Sequence, residues 1–208
     1  PFCATPVVAE TAPDRHVKPQ AVLPFAIREE EVRARLKRWL ASLWFAPNGL
    51  KRYARTGGRM QGVYTPYWTF DAKADAAFSG QRGDVYTVRR GKRTETRVRW
   101  RPVSGRVQRE FDDVLALGST SLPRDYTDAL EPWDLGNLEP YSRDWLAGFR
   151  AEAYTVGLEE GFEAARERMR AALEAEARRR IGGDRQRLQR LDARFDAVTF
   201  KHVLLPVW

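Results

Sequence analysis

Between Met60 and about Leu122 the pattern turns to β, and that restricts the fold more than any other feature of the chain. The stretch GVYTPYWTFDA is rich in aromatic and β-branched residues. In TRVRWRPV, Val98 and Trp100 fall on one side while Arg97, Arg99 and Arg101 fall on the other. Such alternation belongs to a strand with one buried and one wet face. Glycines at 80, 83, 91 and 105 punctuate the stretch, which predicts an antiparallel sheet of four or five strands.

Helical spacing brackets this region. In REEEVRARLKRWLASLWF, Val32, Leu36, Trp39, Leu40 and Leu43 form one apolar stripe, with acids in the first turn where the helix dipole favours them. This predicts a helix over 28–44, ended by Ala46-Pro47-Asn48-Gly49. Beyond a loop over 123–141, Ser142 is placed to cap a short helix carrying Trp145, Leu146 and Phe149. A longer helix near 158–180 turns Leu158, Phe162, Ala165, Met169 and Leu173 inward and stops at Gly182-Gly183. RFDAVTFKHVLLPVW reads as a closing strand. The expected class is α+β, with both main helices on one face of the sheet and Trp39, Trp68, Trp100 and Trp145 in the core.

HVLLPVW (202–208) matches GVYTPYW (62–68) at Val, Pro and Trp. Chance similarity between two apolar strands is one account; a duplication that puts the two strands in equivalent positions is the other. The first copy runs on past its Trp and the second stops at residue 208, so the domain is expected to be truncated at its C-terminus. Cys3, the single cysteine of the 208 residues, precedes a proline-rich stretch. Residues 1–5 thus read as the remnant of a knuckle, 6–24 as a linker and 25–208 as one α+β domain. One cysteine excludes an internal disulfide, and no apolar run approaches the roughly 18 residues of a membrane-spanning helix. No signal segment opens the chain, so the expected location is cytoplasmic, with membrane association only through segments outside it.

Charge is unevenly spread. Lys and Arg number 36 against 28 Asp and Glu, for a net charge of +8. Ten basic residues and two acidic ones lie between Arg82 and Arg109, so that segment carries the whole excess. Arg89, Arg90, Lys92, Arg93, Arg97, Arg99 and Arg101 are the candidate anion-binding set, because guanidinium groups suit bidentate phosphate contact. The plainer alternative pairs these arginines with acids of the long helix. Glu110, Asp112 and Asp113 form a carboxylate cluster that fits either a metal or acid–base site or a wet strand end. The two histidines, His16 and His202, stand apart, in a linker and a strand. No catalytic role is expected.

PFCATP, VLPFAI, WFAPNGLKR, GVYTPYWTFDA, FDDVLALGSTSLP, LEPWDL, LAGFRAEAY, IGGD and FKHVLLPVW together resemble a bacterial zinc-ribbon family. Its members are commonly labelled primosomal protein N′ (replication factor Y) or superfamily II helicase-like. The resemblance implies Cys-x-x-Cys knuckles before the body, so that Cys3 would be one ligand of an incomplete zinc site and zinc a cofactor of the full-length protein only. It does not extend to a helicase: the one Gly-Lys pair, Gly91-Lys92, lacks the GxxxxGK[ST] spacing that cradles phosphate. Two functions follow as expectations. One is a non-catalytic module binding nucleic acid or another polyanion through the Arg-rich sheet face, with replication implied by the family label alone. The other is a membrane-associated scaffold docking protein partners, similar to companions of SPFH-type membrane-stress proteins, with the basic face on anionic lipid. No small-molecule substrate is implied.

Overall fold

The computed structural model describes residues 17–43, 60–91 and 93–208. Cys3, His16, Lys92 and the larger part of the expected linker lie outside them. The fold is α+β: β1 (Ala21–Val22), α1 (Glu29–Ser42), β2 (Val63–Arg90), β3 (Arg93–Leu117), α2 (Arg124–Asp128), β4 (Glu139–Pro140), β5 (Arg150–Ala151), α3 (Leu158–Ile181) and β6 (Arg185–Val207). The sheet runs β3-β2-β6-β1-β4, with β5 beside β2. It is mixed, not purely antiparallel, because β1 joins β6 and β5 joins β2 in parallel.

The region expected to hold four or five strands holds two very long ones, of 28 and 25 residues. Only Gly91, at φ +59, turns the chain. That conformation costs an L side chain free energy and costs glycine none. The other glycines make room instead of breaking strands. A Cβ at Gly80 would stand 2.3 Å from the Arg187 carbonyl oxygen, and one at Gly105 would strike the Phe78 ring.

Cover over the sheet thins along its length. At Tyr64–Phe70 both faces are closed. Tyr67, Leu115, Val203 and Leu205 meet Trp133, Leu135 and Leu138 on one side, while Trp68 and Phe70 lie under α3 and Tyr154 on the other. From Ala72 to Phe78 only alternate residues are buried. Ala72, Ala74, Ala76 and Phe78 face Ala165, Met169, Leu173, Ala177 and Ile181 of α3. Alanine at every second strand position lets the helix lie close, and a stripe stepping by four slants across α3 as a helix ridge does. β6 starts at Arg185, opposite Gly83, so from Asp84 onward the β2–β3 hairpin has neither a third strand nor a helix to rest on among the described residues.

The strands matched in sequence are neighbours. Val63 pairs with Val207, Pro66 with Leu204 and Trp68 with His202, which puts a local two-fold between Thr65 and Leu205. The symmetry reaches further than the strands. Val63–Tyr64 carries β5 as a parallel neighbour and Val203–Leu204 carries β1. β1 leads into α1 eight residues on, and β5 leads into α3 by the same interval. The Trp68 indole donates to the Val156 carbonyl at 2.9 Å and the Trp208 indole to the Ile27 carbonyl at 3.1 Å. Tyr154 meets Trp68 edge-on at 5.0 Å, as Phe25 meets Trp208 at 4.8 Å. A duplication explains all five correspondences together; chance likeness of two strands explains none beyond the first.

Of the two main helices only one packs on the sheet. α3 packs on β2, β3 and β6, whereas α1 makes no comparable contact with the sheet. In α1 Leu40 is buried, Val32 and Leu36 are half-buried, and Trp39 is 55% exposed. α1 is the counterpart of α3 under the two-fold and stands beside Trp208. Trp68 is the core tryptophan expected, while Trp39 and Trp145 are exposed and Trp100 half-exposed.

Candidate nucleic-acid interface

The unsupported end of the hairpin is a two-stranded arm, Asp84–Arg90 against Arg93–Arg99. Seven residues on each side project about 23 Å at the usual rise of roughly 3.3 Å per residue. Register sorts the side chains. Arg82, Asp84, Tyr86, Val88 and Arg90 share the α3-side face with Arg101, Arg99, Arg97, Glu95 and Arg93, while Val85, Arg89, Val98 and Trp100 take the other. Val98 and Trp100, expected on a buried face, are only half-buried, with no helix or third strand of the described residues over this part of the sheet. The Trp100 ring is covered instead by the Arg187 guanidinium, 4.0 Å from its centroid, a cation–π contact from β6.

Charge pairing divides the arm. At its root, Arg82 and Arg101 hold the two oxygens of Asp84 at 2.8 and 2.7 Å, and Asp184 accepts from the Val85 amide at 2.7 Å. These guanidinium hydrogen bonds hold the Asp84 carboxyl below its ordinary range. Higher up, Arg97 pairs with Glu95 at 3.0 Å and Arg99 lies over the Tyr86 ring. Arg89, Arg90 and Arg93, at the tip, make no ion pair among the described residues. The partners of Arg97 and Arg101 sit on the hairpin itself and not on the long helix, as the plainer reading had it. Lys92 falls in the turn, outside the described residues.

The sequence reading missed one contributor. The last turn of α3 holds Arg178, Arg179 and Arg180, and α3 ends against the arm's root, with the Gly182–Gly183 turn beside Arg82. Arg180 donates to the Arg106 carbonyl at 2.9 Å, and Arg179 bonds Glu176. A basic last turn is legible in sequence, since the helix dipole favours it. Its position beside the arm is set only by tertiary packing.

The acidic cluster regroups. Glu110 faces Lys73 at 3.1 Å and leaves the set, while Asp112 and Asp113 join Asp71 of the central strand. They meet there because both neighbours of β2 bulge at the same place, with Asp113 at φ 49 and Ala197 at φ 51. Burial alone would raise the Asp71 carboxyl; the Asp113 amide at 2.8 Å, the Thr199 hydroxyl at 3.0 Å and the Lys201 charge outweigh it and hold it low. Lys201 also bonds Asp113 at 3.0 Å, which raises the pKa of its amine. The cluster offers hard oxygen donors already met by an amide, a hydroxyl and an ammonium, which accounts for it as a staple across the double bulge. The thiolate chemistry of a zinc ribbon falls on Cys3, outside the described residues.

His202 lies in the core, not in a site. Its Nδ1 is 2.8 Å from the Val17 carbonyl, so Nδ1 carries the proton and Nε2 is left buried with no partner among the described residues. Burial lowers the imidazole below its ordinary value, partly offset by that bond to Val17. Burial likewise pushes the Tyr67 hydroxyl up to about 12; it stands near Thr127 without a hydrogen bond of standard geometry, since the Thr127 hydroxyl donates to the Arg124 carbonyl.

An uncharacterised protein of Bacillus subtilis (strain 168), YdjG, is 23% identical over 194 residues, which cover 93% of this chain and 57% of that protein. The chain thus spans little more than half the length of the relative it resembles. No family model and no solved structure matches it. No helix among the described residues is long and apolar enough to cross a membrane.

Proposed function

We propose that the chain is a non-catalytic binding module whose arm grips nucleic acid. The observation that carries this reading is the arm's geometry: a two-stranded ribbon whose Arg89, Arg90 and Arg93, at its end, make no ion pair among the described residues. A ribbon of this kind fits the major groove of B-DNA, which admits either a helix or two strands. Arginines along it would meet phosphates on the groove walls and release counterions, so binding would fall with salt. The paired arginines at the root position the arm; the tip arginines supply the contacts.

The test is retention of the protein on duplex DNA across a salt series, with Arg89, Arg90 and Arg93 changed together to Gln. Loss of three contacts should flatten the slope of log affinity against log salt by about 3, at roughly 0.9 per contact. The melting temperature should hold, because exposed charges contribute little to stability. Unchanged retention in the triple variant, or none in the parent, counts against the reading. Binding to phosphatidylserine vesicles and not to DNA would give the arm to a membrane surface instead.

A further inference from the structure

Register gives the arm two unlike faces. Both of its acids, Asp84 and Glu95, lie on the α3-side face with the arginines that pair them. The opposite face holds Val85, Thr87, Thr94, Thr96 and Val98, with Arg89 as its one described charge. Its side chains are short and β-branched, and none is buried: Val85 is 37% exposed, Val98 is half-buried and the three threonines are exposed. The threonine hydroxyls make no hydrogen bond among the described residues. At the root this face ends on Trp100, which lies against Gly83 and under Arg187. α3 stands on the other side, its Gly182–Gly183 turn beside Arg82, so a large ligand meets no described helix on the uncharged face.

We infer that this face reads thymines on the floor of a B-DNA major groove, which names the ligand of the arm and rests on the function proposed for it above. A sheet layer with its side chains is about 10 Å thick, and the groove is about 8.5 Å deep and about 12 Å wide. A ribbon laid in it with Val85 and Val98 downward brings its upper face level with the phosphate rim, where Arg97 and Arg99 reach sideways. Turned over, it would press Asp84 and Glu95 between walls of phosphate and drive the end of α3 against the duplex. The downward side chains suit one base. Valine and threonine methyls make apolar contact with the C5-methyl of thymine, and a threonine hydroxyl bonds base edges of either kind. RNA offers neither an open major groove nor, at uracil, the methyl. A second copy fits less well. A face about 23 Å long and two strands wide covers a few hundred Å² at most, against roughly 800 Å² per partner in a stable interface.

Duplexes of equal length, compared at one salt concentration, test this: one of A·T pairs, the same sequence with deoxyuridine for every thymine, and one of G·C pairs. The uracil swap removes methyl groups from the DNA and leaves the protein untouched. The thymine duplex should bind most tightly, by at least about fourfold over the uracil duplex, as burial of a single contacted methyl warrants. Thr87→Ser with Thr96→Ser keeps both hydroxyls and removes their methyls. That double variant should narrow the ratio while the slope of log affinity against log salt holds. Equal affinity for every duplex would overturn the inference and leave the arm as a grip on the backbone alone, whereas binding to none would remove the proposed function with it. A thymine preference undiminished in the double variant would place the reading residues elsewhere. A protein dimer that dissociates on Val98→Arg would give the face to a second copy.

Discussion

The two ends of the β2–β3 hairpin share strand geometry and nothing else. Around Trp68 every strand residue from Tyr64 to Phe70 is buried, and the indole is fully enclosed with its N–H bonded to Val156. Around Gly91 no described residue from Val85 to Arg99 is buried. The first region is held by apolar area and ring contacts on both faces. The second is held by the ladder, a few exposed ion pairs and two guanidinium–ring contacts. The difference teaches that a strand's length is set by pairing and its stability by cover. The sheet can therefore hold one end of a ribbon in its core and hold the other out to a partner.

The largest expected effect tests the covered end. Trp68→Ala deletes an enclosed ring that touches Tyr154, Phe200 and His202 and leaves the Val156 carbonyl without its donor. Substitutions of this kind cost about 3–5 kcal/mol. Chemical denaturation should show that loss, whereas Trp100→Ala, on the uncovered stretch, should cost less than half as much. Equal costs would break the comparison.

A smaller effect, from His202, also belongs to the covered end. Its imidazole is pushed below the ordinary value of 6.5 by burial. As pH falls below about 6.5 the unfolded chain takes up a proton that the native core resists, so stability is full above that value and declines towards the lower native pKa. The Asp71 carboxyl, held below 3.8, enters only at more acid pH, so the two windows are separable. The midpoint of urea unfolding followed from pH 7.5 to 5 should drop in the parent and stay flatter in His202→Gln. A parent with no dependence in that window would place His202 in a wetter setting than the core.

The sequence showed much of this fold and less of its site. Aromatic and β-branched content located β2, period-two alternation located β3, and the apolar stripes located α1 and α3, because those signals are local. Their number and length were misread at Gly80, Gly83 and Gly105. A glycine that turns a chain and one that makes room for Ile181, Trp100 or Phe78 look alike until the neighbour is known. The match between 62–68 and 202–208 pointed correctly to equivalent strands. The agreement of Phe25 with Tyr154 and Ile27 with Val156 was hidden, because those pairs share no identity and correspond only through what they do to an indole. The Arg-rich set was visible as composition. Which arginines stay unpaired depended on the register that puts Asp84 opposite Arg99, within reach of Arg101, and that no linear pattern reports.

The smallest expected effect lies at the uncovered end. Gly91 sits at φ +59 with nothing within 4 Å of where a Cβ would stand, so Gly91→Ala is opposed by backbone conformation alone. In a rigid hairpin that strain would amount to about 1 kcal/mol. The arm has no buried residue among those described, so its ladder should open before the core does, the strain should be released locally and global unfolding should move by less than about 0.5 kcal/mol. Hydrogen exchange separates the cases. Amides from Tyr86 to Val98 should lose protection in the variant while those from Tyr64 to Phe78 keep theirs, and DNA retention should weaken as the tip arginines lose their fixed spacing. Loss of protection at both ends together would show that arm and core unfold as one unit.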